Sequence, residues 1–138
     1  MKAPLSLLAA FPLALSFCAS AEGNKMNFSP SQTVVNDVAR CSAAAGYVMA
    51  AAAVLPNDSS RWIDFATDIS RTMSEDQSRS PEQRAQLTPT VAEIFVAAAH
   101  VRGLIEEGWD IKRASGRDYV VANAAAHCTA SLLTPKGK

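Results

Sequence analysis

Residues 30–55 read PSQTVVNDVARCSAAAGYVMAAAAVL, and this stretch decides the fold. Its apolar residues recur in alternating steps of four and three, at Val34, Val38, Cys41, Ala45, Val48, Ala52 and Leu55. That spacing is typical of a helix that packs lengthwise in a bundle, because it keeps one apolar face in register over several turns. We therefore predict a first helix from about Pro30 to Leu55, ended by Pro56 and the polar residues after it.

A second amphipathic helix is predicted after a cap at Asp58 or Ser59. Its apolar residues share one face: Trp62, Phe65, Ala66, Ile69 and Met73. The stretch 75–87 that follows is polar and rich in Gln, Ser and Arg, so we predict a long connection there. Ser80 is followed by a proline and, three positions later, by a glutamine, which is the pattern of a helix start. One helical turn is therefore expected inside the connection.

Two more helices complete the predicted fold. The third spans about 89–107, where Gly108 ends it; Thr88-Pro89 marks its start, and Thr90 to Glu93 offers another capping box. Its apolar residues are Val91, Ile94, Ala98, Val101 and Ile105, with Phe95 beside them. The fourth begins near Ser115 or Arg117 and ends near Leu133. Its apolar face is made of Val121, Ala125, Cys128 and Leu132. Alanine, the strongest helix former, dominates the apolar content, so we predict an all-α protein, a small antiparallel four-helix bundle.

The first 21 residues have the three parts of a secretory signal. A basic start at Lys2 precedes an apolar run from Leu5 to Phe17, and Ala19-Ser20-Ala21 supplies the small residues at which such signals are cut. The run is shorter than the roughly 20 residues that a membrane span needs. We place the cut after residue 21, so that 22–138 is a single domain, exported to a bacterial periplasm or to the medium. Lipidation of Cys18 is the alternative, which the bulky residue before it disfavours.

Charge and length exclude several kinds of partner. The chain carries 13 basic and 13 acidic side chains, and the cut would remove only one of them, Lys2. This balance argues against a nucleic acid or an anionic lipid surface as partner, because both require a basic patch. The apolar stretch 41–55 is too short to span a membrane. We therefore expect no nucleic acid and no membrane span after processing.

Cys41 and Cys128 are the two cysteines that remain after the cut. Both lie on predicted apolar faces, and the first and last helices of an antiparallel four-helix bundle are neighbours. An even number of cysteines in an oxidising compartment indicates a disulfide. We predict one between helices one and four.

No set of catalytic, cofactor-binding or metal-binding residues stands out. His100 and His127 are the only histidines, and His100 falls opposite the apolar face of its helix, where we expect it to be solvated. A zinc site needs three or four ligands, so a pairing of the two with Glu93 or Glu107 is the weaker alternative. The serines cluster at helix starts and in loops, where local hydrogen bonding explains them. We predict that the protein is not an enzyme and holds no cofactor or metal.

The connection between helices three and four carries the residues best suited to binding. Trp109 and Arg113 lie in it and Arg117 lies just after it, and Trp and Arg dominate the energetics of protein interfaces. A tryptophan in a charged connection either covers the core or contacts a partner. We treat these three as candidate binding residues and add Tyr47, which lies off the main apolar face of helix one.

Two classes of function agree with these features. The first is a protein-binding module of the bacterial envelope, such as an inhibitor or immunity-like protein, since the chain is small, disulfide-linked and without a catalytic set. The second is a structural or chaperone-like periplasmic protein that acts through exposed apolar surface. Tyr47, Met49 and Leu104 would form that surface, unless neighbouring helices bury them. A homodimer would use the same surface.

Overall fold

A computed structural model describes residues 31–134 of the protein. Three predictions lie outside those residues: the signal segment with its cut, the lipidation alternative at Cys18, and the start of helix one at Pro30. All the described helices belong to one compact unit. Residues 31–134 are predominantly helical and contain no strand. Within the same residues, no helix has both the length and the apolar character that a membrane crossing requires.

Five α-helices and one short 3-10 turn make up the described part of the chain. They are α1 (Gln32–Val54), the 3-10 turn (Ser59–Arg61), α2 (Trp62–Ser74), α3 (Pro81–Gln86), α4 (Val91–Glu106) and α5 (Ala114–Leu133). The four long helices are the predicted ones. The fifth, α3, occupies the connection in which the sequence predicts one helical turn.

Capping boxes fix the starts of α3 and α4. At α3 the Ser80 hydroxyl accepts from the Gln83 N–H, and the Gln83 side chain accepts from the Ser80 N–H. At α4 Thr90 and Glu93 form the same reciprocal pair. Of the two predicted start signals of that helix, the capping box at Thr90 is confirmed, and Pro89 lies just before the helix. The Pro89 carbonyl instead accepts from the buried Ser70 hydroxyl of α2, at 3.0 Å.

The centre of the bundle is the pair α1 and α4. Each of these two helices packs against the other and against both α2 and α5. The buried side chains of α1 are mainly small: Cys41, Ala44, Ala45, Val48, Met49, Ala51 and Ala52. Those of α4 are Glu93, Ile94, Ala97, Ala98, Val101 and Leu104. Small side chains let the helix axes approach closely at native packing density, so α1 can touch three long helices at once.

The predicted apolar faces agree with the buried residues in the central turns of the helices and differ from them at several other positions. Val38 of α1 and Val91 of α4 belong to the predicted apolar faces, but both are exposed. In α5 the buried line runs through Gly116, Val120, Ala124 and Cys128, one residue earlier than the predicted Val121 and Ala125, which are partly buried. Met49 and Leu104 are buried by neighbouring helices. They therefore do not contribute to an exposed apolar surface.

The predicted disulfide is confirmed and joins the first and last helices. Cys41 of α1 and Cys128 of α5 are bonded, with their Cα atoms 5.5 Å apart, and both are buried. The link closes a chain segment with a sequence separation of 87 residues. The link fixes the position of α5 along α1 at Cys128, which lies about three helical turns after Gly116 in α5.

A partly buried ion pair joins α4 to α1. The Glu93 carboxylate is only 3% exposed, and it accepts from the Arg40 guanidinium through Nε and Nη2, each at 3.1 Å. The same carboxylate caps its own helix by accepting from the Thr90 N–H at 2.8 Å. Hydrogen bonding to Glu93 raises the pKa of Arg40 despite the opposing effect of burial, and Asp37 adds to the rise. The Arg40 guanidinium and the Thr90 N–H thus replace the water that burial removes from the Glu93 carboxylate. Such replacement is the condition for a stable buried charge.

Removing the disulfide tests how far the bundle depends on it. Replacing Cys41 and Cys128 together by alanine should lower the free energy of unfolding by about 4–5 kcal/mol, because the unfolded chain regains the entropy that the cross-link withholds. Urea denaturation of the oxidised protein and the double variant measures the difference. The reduced wild type is the control and should unfold close to the variant. An unchanged urea midpoint in both would contradict the expectation.

Candidate functional site

The connection between α4 and α5, residues 107–113, begins with a fixed turn. Gly108 has a φ of 110°, in the left-handed region that glycine adopts without strain. Its N–H donates to the Ile105 carbonyl at 3.0 Å, and the Trp109 N–H donates to the Leu104 carbonyl at 3.1 Å. These bonds satisfy carbonyls at the end of α4, as a glycine C-cap does. Gly108 therefore ends the helix as predicted, and the turn sets where Trp109 lies.

The same connection lies directly on the first turn of α5. A Cβ atom added to Gly116 would fall 1.9 Å from the Asp110 carbonyl oxygen, so only glycine allows this contact. Arg117 Nη1 donates to the carbonyls of Ile111 and Lys112, at 3.1 and 3.0 Å. Within the turn, Asp110 Oδ1 accepts from the Lys112 N–H at 2.9 Å. The backbone of the connection is thus held at both of its ends.

Trp109 and Tyr119 form an exposed aromatic pair at this corner of the bundle. Their rings stack with centroids 3.7 Å apart and planes 16° from parallel. The two residues remain 38% and 41% exposed. A cavity of about 320 Å³ opens beside them, lined by Trp109, Asp110, Arg113, Ser115, Gly116 and Tyr119. We call this cavity and its lining the Trp109 cleft.

The structure brings two of the four candidate binding residues together. Trp109 and Arg113 both line the Trp109 cleft. Arg117 instead donates to the backbone of the connection, so it holds in place the backbone that forms the cleft. Tyr47 belongs to a different part of the molecule, where its hydroxyl donates to the Leu87 carbonyl after α3 at 2.7 Å. Burial raises the pKa of that phenol.

Sequence reasoning missed two residues that define the cleft, Tyr119 and Gly116. The signal that could have found them is their spacing, since residues three apart lie on the same side of a helix. A tyrosine in the mostly polar first turns of α5 then points to the same side as the glycine. The spacing does not predict where the connection lies, and it is the position of the connection that brings Trp109 onto Tyr119.

A second groove lies between α2 and α4. It has a volume of about 210 Å³ and is lined by Ser59, Trp62, Ile63, Phe95, Ala98, Ala99 and Arg102. Phe95 is 54% exposed, and Val91, one turn before it, is exposed as well. The cation at the rim, Arg102, pairs with Glu106 of its own helix at 3.5 Å. The second groove is therefore an apolar surface whose charge is already balanced.

The two histidines meet between α4 and α5. The rings of His100 and His127 stack with centroids 4.3 Å apart and planes 10° from parallel. His100 is partly buried and not solvated as expected, because α5 packs beside it. Burial lowers the pKa of His100 and the nearby His127 lowers it further, while Glu107 acts in the opposite direction. Among residues 31–134, no three or more His, Cys, Asp or Glu side chains are grouped so that they could hold a metal ion.

Substitution at Gly116 should show whether the connection depends on its contact with α5. Gly116→Ala should lower the free energy of unfolding by roughly 1–3 kcal/mol, because the added methyl group overlaps the Asp110 carbonyl. Urea denaturation measures this loss.

Gly103→Ala in α4 is the matched control. A Cβ atom at Gly103 would meet no other atom within 4 Å. Alanine there should raise the stability by about 0.5–1 kcal/mol, as expected in a helix interior. Equal effects of the two substitutions would contradict the contact at Gly116.

The histidine pair should make the stability depend on pH. Because the folded state holds the pKa of His100 below its usual 6.5, the unfolded chain takes up protons first as the pH falls. Stability is therefore fully present above about pH 6.5 and decreases as the pH falls through the lowered pKa of His100. Urea denaturation at several pH values between about 7.5 and 5 measures the decrease.

His127→Gln tests the contribution of the stacked partner. Removing the second imidazole takes away its repulsion with protonated His100, so the variant should lose less stability over the same pH range. His100→Gln should lose less still, since burial of that ring is the larger cause of the lowered pKa. A pH dependence identical in the wild type and both variants would rule out the pair as its source.

Comparison with known proteins gives no match for this chain. The chain matches no protein-family model, and searches among curated proteins and among solved structures found no match.

Proposed function

We propose that this protein is exported to the bacterial envelope, where it binds another protein in the manner of an inhibitor or immunity protein and does not act as an enzyme. The observation that supports this most directly is the aromatic pair of Trp109 and Tyr119. More than a third of each residue is exposed, beside a cavity that also contains an arginine. Trp, Tyr and Arg are the residue types that most often dominate binding energy at protein interfaces.

The rigidity of the connection supports the same proposal. Association costs less conformational entropy when the binding surface is already ordered in the free protein. Here the turn at Gly108, the contact at Gly116 and the hydrogen bonds of Arg117 fix the backbone before any partner arrives. The stack with Tyr119 restricts the Trp109 ring as well. Such a surface is suited to firm binding by a small number of residues.

Export is supported by two independent features. The first 21 residues carry the pattern of a secretory signal. The Cys41–Cys128 disulfide fits an oxidising compartment, because cytosolic proteins seldom keep structural disulfides. An envelope or secreted location would also place the Trp109 cleft where it could meet exported proteins.

Capture of a partner tests the proposal. The oxidised protein in its exported form serves as bait against the native envelope fraction, and retained proteins are identified by mass spectrometry. We expect one dominant partner in stoichiometric amount. Trp109→Ala should lower the affinity at least tenfold, because truncation of a central tryptophan at an interface typically costs 2 kcal/mol or more.

Phe95→Ala is the matched control for that experiment. It removes an aromatic side chain of comparable exposure from the second groove and should leave the affinity for the partner unchanged. Urea denaturation of both variants should show that the fold persists. Affinity that is unaffected by Trp109→Ala would remove the cleft from the binding site.

The second candidate function is a structural or chaperone-like role, and the exposed apolar surface at Phe95 and Val91 favours it. This surface replaces the one expected at Met49 and Leu104, which the core buries. A chaperone-like protein should bind apolar dyes and suppress aggregation of unfolded clients, with both effects lost in Phe95→Ala. Sedimentation of the purified protein would show whether a second copy of the chain occupies the same surface.

A further inference from the structure

We propose that the Trp109 cleft recognises a short acidic segment of the partner, in which a carboxylate stands next to an apolar side chain. The carboxylate would pair with Arg113, and the apolar side chain would pack on the rings of Trp109 and Tyr119. This inference rests on the proposed function and adds the chemistry of the partner to it.

The Arg113 side chain has no partner within the described residues. Among residues 31–134 every other arginine side chain is engaged. Five of these, Arg40, Arg61, Arg71, Arg79 and Arg102, pair with carboxylates. Arg84 and Arg117 donate to backbone carbonyls. Arg113 alone makes neither an ion pair nor a side-chain hydrogen bond within the described residues, although it lines the cleft. The N–H donors of its guanidinium are therefore available to a ligand.

Within the described residues, the two adjacent cations of the connection, Lys112 and Arg113, have no carboxylate partner. Asp110 lines the same cleft but does not pair with Arg113; its carboxylate accepts from the Lys112 N–H instead. The Lys112 side chain is exposed and, within the described residues, also has no acidic partner. Two adjacent cations without a paired carboxylate complement an acidic segment. A carboxylate suits a guanidinium best, since the two can form parallel hydrogen bonds.

The second groove differs from the Trp109 cleft in that its cation is already paired. There the cation Arg102 already pairs with Glu106, so a carboxylate would gain little. In the Trp109 cleft an aromatic wall and an unpaired guanidinium lie side by side. That combination selects for a ligand with both an apolar and an acidic part.

The size of the cleft limits the ligand to a short segment. Its volume of about 320 Å³ is near the lower end of the range for sites that enclose a small ligand. Two or three side chains fill such a space, so the rest of the partner would contact the rim. A short blocked peptide is therefore a fair substitute for the segment.

The test uses two peptides that differ only in charge, acetyl-Leu-Glu-Leu-amide and acetyl-Leu-Gln-Leu-amide, added to the ¹⁵N-labelled oxidised protein. The chain has two tryptophans, so its indole N–H groups give two NMR signals. Trp109 reports on the cleft. Trp62 reports on the second groove, which it lines, and its buried indole donates to the Leu55 carbonyl.

We expect both peptides to shift the Trp109 signal at millimolar concentration, with the Trp62 signal unchanged. At low salt the glutamate peptide should bind about threefold more tightly than the glutamine peptide, as expected for a partly exposed ion pair. Raising the salt to about 0.5 M should remove the difference, because the Debye length then falls to a few ångströms. Arg113→Gln should remove it at low salt as well.

Arg71→Gln is the matched control, since Arg71 is an exposed arginine of α2 outside the cleft lining, where it pairs with Asp68. This variant should keep the preference for the glutamate peptide. The inference is overturned by equal affinities for the two peptides, by a preference that survives Arg113→Gln, or by a Trp109 signal that neither peptide shifts. If the captured partner needs Trp109 while the peptides are not distinguished, this inference fails and the proposed function stands. A preference without any captured partner leaves the cleft chemistry in place and removes the proposed function.

Discussion

The packing of α1 against α2, α4 and α5 is the contact on which the rest of the structure depends. Because the buried positions of α1 are mainly alanine, the surrounding helices approach it closely, and a single helix can provide a core for all three. Two specific links then set the register: the disulfide to α5 and the Arg40–Glu93 pair to α4. With α4 and α5 both fixed against α1, the short connection between them has little freedom left, and this is the connection that forms the Trp109 cleft.

The parts of the fold that the sequence predicts are those in which side-chain spacing and packing coincide. The long apolar repeat of α1 and the two cysteines determine the bundle and its disulfide, and both predictions are confirmed. The face of α5 is displaced by one residue because its buried line begins at Gly116, which has no side chain to contribute to an apolar pattern. The helix α3 is short and polar, so no periodicity reveals it. Only the capping box at Ser80 does.

The candidate site is less accessible to sequence reasoning, since its geometry depends on backbone contacts between distant residues. Trp109 and Arg113 could be selected by residue type and by their place in a connection. The stack of Trp109 on Tyr119 could not, because it follows from the close approach of Asp110 to Gly116. The meeting of His100 and His127 has the same origin: each looks solitary on its own helix, and only the packing of α5 beside α4 joins them.

The residues that build the connection and those that line its open side are largely different. Gly108, Gly116 and Arg117 fix the backbone through a turn, a close contact and hydrogen bonds to carbonyls. The Arg113 side chain makes no hydrogen bond or ion pair in that frame within the described residues, although its backbone does hydrogen-bond there, and Trp109 and Tyr119 remain partly exposed. A side chain without a structural contact can change with little effect on stability, since surface substitutions away from special contacts usually alter it by no more than about 0.5 kcal/mol. The cleft therefore combines a rigid frame with a lining whose chemistry is set largely independently of the fold, and this arrangement suits the proposed binding surface.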